Sequence, residues 1–219
     1  MYDRDSGRVI EGMAFESCRF VSCALSVTRD PSKRTIARDL RFVNCEARGV
    51  SIYAAAIEDV EVDGLKTNGT LHCWATVFKH VAVRGKIGTI MFSDMVSPGK
   101  ASVAEQRAFD TANRQYYATV DWALDLSEGE FEDCDLRGIP ARLIRRDPES
   151  QVVITREKAL EGKWRAMDLS KTHWTTSIEF LLEQGHPDTV LVAGRRNRRF
   201  RQLVEGLRRL QHEGVAEPD

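Results

Sequence analysis

One spacing of apolar residues recurs through the first 140 positions and restricts what this chain can fold into. An apolar residue is followed by another three positions on, by a third two positions later, and by a fourth three or four positions after that. Neither the period of an α-helix nor the plain alternation of a strand produces this spacing. The five copies are Phe15-Cys18-Phe20-Cys23, Phe42-Cys45-Ala47-Val50, Ile57-Val60-Val62-Leu65, Phe78-Val81-Val83-Ile87 and Phe131-Cys134-Leu136-Ile139.

The spacing fits short strands joined by bends. Residues two positions apart point to the same side of a strand, and the outer apolar residues point inward again across a bend. Each coil of a β-solenoid presents small or medium side chains to a narrow shared interior. We therefore expect a mainly β fold, a β-solenoid, with its body over residues 1–145.

Glycines mark the expected bends, because glycine accepts the left-handed backbone that solenoid corners often need. They are Gly49, Gly64, Gly69, Gly85 and Gly138, each after a polar or charged residue. An ordinary antiparallel domain of short strands and glycine turns is the alternative. The Asn68-Gly69 dipeptide favours that alternative, since Asn-Gly is a common hairpin turn.

Two segments resemble pentapeptide-repeat proteins. They are Phe15-Glu-Ser-Cys-Arg-Phe20-Val-Ser-Cys23-Ala-Leu25 and Phe131-Glu-Asp-Cys-Asp-Leu136-Arg-Gly. The resemblance implies a right-handed parallel β-helix whose central inward residue is Leu or Phe. The copies between these segments are expected to depart from a strict five-residue period, so the broader class of irregular right-handed β-helices describes residues 13–140 better. The resemblance concerns the fold and implies no activity.

The solenoid spacing is interrupted over residues 97–118, which are interpreted as an insertion between coils. Ala104, Ala108 and Ala112 are expected to share one side of a short helix there. The segment that follows, Val120–Leu126, alternates apolar and polar residues and predicts a strand. Its apolar face would carry Val120, Trp122, Leu124 and Leu126, with Asp121 and Asp125 facing outward.

Residues 146–219 predict a small C-terminal α/β appendage. Val152–Ile154 and Thr189–Ala193 are expected to be short buried strands. The first predicted helix runs from Arg156 to about Arg165 behind a Thr155 cap, the second starts at a Thr176/Glu179 capping box and ends at Gly185, and the third runs from Arg196 to Gln211. The appendage is expected to cover an open end of the solenoid, because exposed strand edges invite aggregation.

Composition narrows the class of protein. The 219 residues carry 32 Lys+Arg against 33 Asp+Glu, a net charge of −1, and 42% are hydrophobic. That content excludes a disordered tail and a bulk polyelectrolyte that binds nucleic acid through overall charge. With no apolar run near membrane-spanning length and a charged start, the expectation is no membrane span and no secretory signal. Five cysteines without a CxxC pair favour reduced thiols and a cytoplasmic location.

Catalytic motifs are missing from the sequence. The five histidines have no partner at metal-site spacing, so we expect no metal and no cofactor. A carbohydrate-active hydrolase or lyase on a β-helix scaffold is the alternative reading, because such enzymes place carboxylates on neighbouring strands. Asp59 and Asp63 project from one predicted coil, but the residues one coil away are Lys79 and Arg84.

Two charge clusters remain as candidate binding residues. The acidic cluster contains Asp121, Asp125, Glu128, Glu130, Glu132, Asp133 and Asp135, and the basic one contains Arg195, Arg196, Arg198, Arg199, Arg201, Arg208 and Arg209. They are either solvated faces, or they pair with each other across the junction with the appendage, or they bind partners. The first six acidic residues are candidates for contacting a basic protein, and Arg195, Arg196, Arg198 and Arg199 for contacting an anion. Nucleic acid is disfavoured, because Phe200 is the only aromatic residue among the arginines.

These features together favour a non-catalytic protein-binding module. The outward residues of a solenoid vary without disturbing its core, and acidic surfaces accelerate association with cationic proteins. One concrete hypothesis is a bacterial immunity-type protein that neutralises a toxin partner by masking its active site. The identity of the partner and the oligomeric state are not specified by the sequence.

Overall fold

The computed structural model describes residues 2–96 and 101–217, and the start of the predicted insertion, 97–100, lies outside the described residues. The described strands are β1 Tyr2–Arg4, β2 Val9–Glu16, β3 Arg19–Val21, β4 Ala24–Val27, β5 Ile36–Arg48, β6 Ser51–Tyr53, β7 Ala56–Trp74, β8 Val77–Ser93, β9 Leu124–Asp125, β10 Gly129–Leu136, β11 Ile144–Arg145, β12 Gln151–Thr155 and β13 Asp188–Val192. The described α-helices are α1 Val103–Tyr117, α2 Arg156–Leu160, α3 Trp174–Gln184 and α4 Phe200–His212.

Strands β1 to β11 form one large sheet in which every described pairing is parallel. Strand β7 lies between β5 and β8, with Ala56 paired to Ile36 on one side and to Val77 on the other. The expectation of a mainly β fold is confirmed, and the antiparallel alternative is wrong for this sheet. Asn68 and Gly69 lie inside β7 and form no hairpin.

The long strands bend where residues adopt a left-handed backbone. Positive φ occurs at every fifth residue from 39 to 69, and again at 75, 80 and 85. These corner residues are Asp39, Asn44, Gly49, Ala54, Asp59, Gly64, Gly69, Ala75, His80 and Gly85. Between two corners, such as Asp39 and Asn44, the side chains of Leu40 and Phe42 pack into the core. The middle of the chain therefore follows the five-residue period that we expected it to break.

These corners explain the repeated spacing. The segment between two corners, here called a side, carries two inward residues that are two positions apart. A further three positions across the bend lead to the first inward residue of the next side, so each side covers five residues. The strand register does not align all five predicted copies. Phe15 pairs with Phe42 as the copies imply, but Phe42 pairs with Val62 and not with Ile57. Phe131 likewise pairs with Ile87. Because successive sides carry the same pattern, the spacing alone does not fix the register.

A single core runs through the large sheet. It includes Leu40, Val60 and Val81 from successive strands and Cys134 from β10. A second core lies in the C-terminal part of the chain, around Trp174 and the buried face of α4. This C-terminal unit has an antiparallel β12–β13 pair.

The C-terminal unit packs against β10. Val190 and Val192 of β13 join the core of the large sheet. Thr189 Oγ1 donates a 2.7 Å hydrogen bond to the carbonyl of Leu136. Gly194 lies so close to β10 that a Cβ atom there would be 2.6 Å from the carbonyl oxygen of Phe131. The unit therefore covers the end of the sheet that is formed by β10.

Two local expectations are wrong, those for strand β9 and for the Thr176/Glu179 capping box. Strand β9 covers only Leu124 and Asp125, because the chain bends before it: Ala123 is fully buried, while Trp122 is half-buried against the ring of His80. Helix α1 is formed as expected, with Ala104, Ala108 and Ala112 on one side at helical spacing, and the residues that it buries are Phe109, Asn113 and Tyr117. The Thr176/Glu179 capping box is not formed.

Helix boundaries in the C-terminal unit also differ from the sequence-based ones. Helix α3 begins at Trp174, two residues before Thr176, after an N-cap residue that makes no side-chain capping bond. The Thr155 cap is confirmed, but α2 ends at Leu160, ahead of the left-handed Gly162. Helix α4 begins at Phe200. The predicted end of α3 at Gly185 is confirmed, with Gly185 in the left-handed conformation.

Candidate functional site

The six acidic residues proposed for partner binding divide into two groups. The first group, Asp121, Asp125 and Glu128, faces bases on neighbouring strands. Asp121 Oδ1 lies 2.6 Å from His80 Nε2, Asp125 Oδ2 lies 4.0 Å from Arg145, and Glu128 Oε2 lies 3.6 Å from Arg84. Their charges are therefore partly compensated within the chain.

The second group, Glu130, Glu132 and Asp133, lies on β10. Within residues 2–96 and 101–217, no ion pair involves any of the three. Glu130 and Glu132 are exposed, and Asp133 is half-buried. Asp133 Oδ1 accepts a 3.0 Å hydrogen bond from the amide of Cys134. No basic side chain lies within ion-pair distance of this group in the described residues, although Glu130 lies opposite Lys86 in the strand register.

Asp133 lines a cleft of about 200 Å³ between β10 and α3. One wall is β10, with Asp133 and Asp135, and the other is α3, with Ser177 and Phe180. The cleft lies where the two cores meet, a common location for ligand sites. Its polar and aromatic lining residues are Asp133, Asp135, Arg137, His173, Trp174, Thr176, Ser177, Phe180, Gln184, His186 and Thr189.

The other charged groups of the cleft are held in place. The guanidinium of Arg137 binds the Asp135 carboxylate and lies 4.2 Å above the ring of Phe180. His186 Nε2 lies 2.9 Å from Gln184 Oε1 and 3.6 Å from Asp94 Oδ1. Asp133 is therefore the carboxylate of this cleft without a basic partner in the described part of the chain.

Burial sets the protonation of the groups around the cleft. Burial lowers the pKa of His173, and Arg199 lowers it further, against the opposing effect of Asp133 and Asp135. His173 is therefore neutral at pH 7 and does not compensate Asp133. Burial also raises the pKa of Asp94, which the nearby His186 opposes. The arrangement is suited to holding a cation against Asp133, with the Ser177 hydroxyl as a further hydrogen-bonding group.

The arginine cluster is divided between ion pairs, backbone contacts and exposed side chains. Arg195 donates to Asp147 at 2.6 Å and lies 3.3 Å from Glu149, so it pairs with acidic residues outside the 121–135 segment. Arg196 donates a 2.9 Å hydrogen bond to the carbonyl of Ile87. Arg198 and Arg199 are exposed. Among the described residues, no ion pair joins the two predicted clusters, and the candidate anion site is reduced to its last two members.

A bridge through His80 was missed by the sequence analysis. His80 Nδ1 lies 2.9 Å from Asp59 Oδ1, and its Nε2 binds Asp121. Asp59 and His80 occupy successive left-handed corners of β7 and β8. The Trp122 ring centroid lies 4.8 Å from that of His80, and Arg145 lies 4.1 Å above Trp122. Twenty-one positions separate Asp59 from His80, so only the strand register reveals the bridge.

The carboxylates considered for a carbohydrate site are used elsewhere. Asp59 belongs to the His80 bridge, and Asp63 lies opposite Arg84 in the strand register. No group of three or more potential metal ligands lies together in the described ranges. In those same ranges, no helix is long and apolar enough to cross a membrane.

Comparison with known proteins gives no family for this chain. No protein-family model matches it, and neither a curated protein nor a solved structure does.

Proposed function

We propose that the protein is a non-catalytic binding module that holds a basic side chain of a protein partner in the cleft between β10 and α3. The uncompensated carboxylate of Asp133 carries this proposal. A half-buried carboxylate attracts a cation more strongly than an exposed one, because the surrounding protein screens charge less than water does. A lysine or arginine side chain is the cation that a protein partner supplies.

The scaffold in this proposal is a right-handed solenoid. Left-handed corners at every fifth residue and the shift of 20 residues between Ile36 and its partner Ala56 support four sides per coil. Such a scaffold displays outward side chains in rows on a rigid core, as repeat proteins do when they bind along one surface. The resemblance to pentapeptide-repeat proteins is part of this proposal.

A protein is a better ligand than a free small cation because the negative charge extends beyond the cleft. Glu130 and Glu132 continue the acidic row along β10, on the exposed surface next to Asp133. Charges in such a row raise the rate of association with a basic surface and orient it before contact. The lysine or arginine side chain of the partner that enters the cleft then fixes how the partner is positioned along β10.

Neutralisation of a toxin remains the specific form of this hypothesis. An acidic cleft would be suited to a toxin whose active site is lined by basic residues, because it would compete for the same cationic side chains. A cytoplasmic site of action belongs to this hypothesis as well. Co-expression that protects cells from a basic toxin of the same host, and fails with the Asp133→Asn variant, would support it.

The cleft is tested by NMR titration with N-acetyl-arginine amide. Amide signals of β10 and α3 are expected to shift and to saturate, and the uncharged isostere N-acetyl-citrulline amide is expected to leave them unchanged. The Asp133→Asn variant removes the charge with little change in shape. This variant is expected to weaken binding of the arginine probe about tenfold, because it loses one charge-assisted hydrogen bond.

Glu205→Gln provides the matched control, because Glu205 is an exposed acid on α4 outside the cleft lining. This variant should bind the arginine probe like the unaltered protein. Equal shifts with the citrulline probe, or undiminished arginine binding by Asp133→Asn, would show that Asp133 is not the binding group.

A further inference from the structure

The two ends of the large sheet differ in how they are covered. The C-terminal unit packs on β10, as described above. At the other end, β2 and β3 are hydrogen-bonded on one side only, to β5, in the described structure. Their outer edges therefore present backbone N–H and C=O groups with no strand partner, which is a template for pairing with another chain.

The uncovered end is also apolar. Four of the seven large apolar side chains that are exposed in the described residues lie on β1, β2 and β3: Tyr2, Val9, Met13 and Val21. Met13 is 46% exposed although its register partner Leu40 is buried. Exposed apolar surface concentrated in one place indicates an interaction site.

A cavity of about 250 Å³ lined only by apolar residues runs from this end into the core. Three half-buried aromatic rings stand at its start: Phe15 stacks on Phe42 with ring centroids 5.0 Å apart, and Phe20 packs edge-on to Phe15 at 5.5 Å. Ile10, Phe15 and Phe20 follow each other at five-residue intervals, so they lie on three successive sides of the end.

We propose that this end binds the same end of a second copy of the chain, which gives a head-to-head homodimer. A single strand or helix from another protein would cover one side and leave the other two exposed. An identical end has the same three apolar sides and the same free strand edges. A two-fold interface of this kind requires that the surface complement itself.

The charges at the end satisfy that requirement. An antiparallel register that places Phe15 opposite Phe15 of the second copy also places Glu11 opposite Arg19. The same register places Ile10 opposite Phe20, so apolar residues meet apolar residues. The side chains of Glu11 and Arg19 are 55% and 60% exposed, and each already has one partner, Arg38 and Glu46 respectively. Contact with a second copy would join these pairs into a network.

Sedimentation equilibrium of the full chain from micromolar to millimolar concentration tests the dimer. The mass is expected to rise from 24.8 kDa to twice that value. Met13→Glu places a charge at the centre of the proposed interface. Because the Met13 side chain is already half exposed in the monomer, this substitution should leave the fold of the monomer intact. It is expected to raise the dimer dissociation constant about thirtyfold or more, as for a residue central to an interface.

Leu160→Glu is the matched control, because Leu160 is 60% exposed on α2 and away from this end. The control variant should dimerise normally. Hydrogen exchange gives a second readout that requires no variant: amides of β2 and β3 should gain protection as the concentration rises, whereas those of α4 should not.

A mass of 24.8 kDa at every concentration, or a dimer that Met13→Glu leaves intact, would overturn the proposal. Binding of the arginine probe is a separate property, since the cleft lies at the opposite end of the sheet. Its loss in Asp133→Asn with the dimer intact would bear on the proposed function alone.

Discussion

His80 shows how single residues are used at the corners of this fold. Its backbone is left-handed, with φ of 54°, a conformation that costs an ordinary residue roughly 1–2 kcal/mol. Both imidazole nitrogens face carboxylate oxygens, those of Asp59 and Asp121. Carboxylates accept hydrogen bonds, so the bridge is complete only when both nitrogens are protonated. The interaction offsets the cost of the corner.

The bridge gives the protein a pH-dependent stability. Hydrogen bonds to Asp121 and then Asp59 raise the pKa of His80 above 6.5, while the bond from His80 lowers the pKa of Asp121 below 3.8. A raised histidine pKa stabilises the folded state fully below the unfolded value and no longer does so above the folded one. The bridge therefore contributes fully between about pH 3.8 and pH 6.5, is lost as the pH rises from 6.5 through the raised pKa of His80, and is lost again as the pH falls from 3.8 through the lowered pKa of Asp121.

The His80→Asn variant tests this contribution, since asparagine tolerates the left-handed corner. We expect a loss of roughly 1 kcal/mol in the free energy of unfolding at about pH 6 and little loss at about pH 9, measured by urea denaturation. His212→Asn, at an exposed position on α4, is the control that should behave like the unaltered protein. An equal loss at both pH values would contradict a protonated bridge.

At the level of single residues, the contacts of the acidic candidates did not follow from the sequence. Six acidic residues were selected by local charge, but three of them face bases on neighbouring strands. Arg84 and His80 are far from these acids in the chain, and only the parallel register brings them together. Local composition carries no information about such pairs.

Among the elements, α1 is attached to the sheet by a small separate core. Phe109 is fully buried against the corner residues Ala54 and Ala75 and against Val96. The Arg34 guanidinium lies 5.1 Å from the Phe109 ring and donates to the carbonyl of Ala75 at 3.3 Å. Burial lowers the pKa of Arg34 to about 10, so it stays charged at neutral pH.

Phe109→Ala is expected to lower the free energy of unfolding by about 3–5 kcal/mol, because it empties the centre of this small core. Amide exchange along α1 should accelerate more than exchange in β7, since the helix loses one of its packing contacts with the sheet, while those of Tyr116 and Tyr117 remain. Val103→Ala, at a position that is 70% exposed, should change stability by less than about 0.5 kcal/mol. Similar losses for the two variants would show that Phe109 does not anchor α1.

The elements were predictable where burial alone decides them. The inward residues of β5, β7 and β8 follow from their spacing, and β12 and β13 from their apolar composition. The buried face of α1 did not follow, because it includes the polar Asn113, whose side chain accepts a hydrogen bond from Arg34. Trp122 was misassigned because the chain bends beside it, so that Ala123 points inward instead.

The whole molecule is organised around one large parallel sheet whose strands bend at regular corners. The sequence predicted a mainly β fold with parallel strands but not their register, because each side repeats the same two inward positions. It also predicted that one end would be covered by the C-terminal part of the chain. The free opposite end followed only from the structure, which shows β2 and β3 paired on one side.

Nuclear Overhauser contacts between backbone protons test this architecture most directly. Val60 lies between Leu40 and Val81 in the parallel register, although all three are far apart in the chain. We expect contacts from Val60 to both residues, in the pattern of parallel strands. Contacts of the antiparallel pattern, or contacts from Val60 to only one of the two residues, would contradict the stacked parallel sheet.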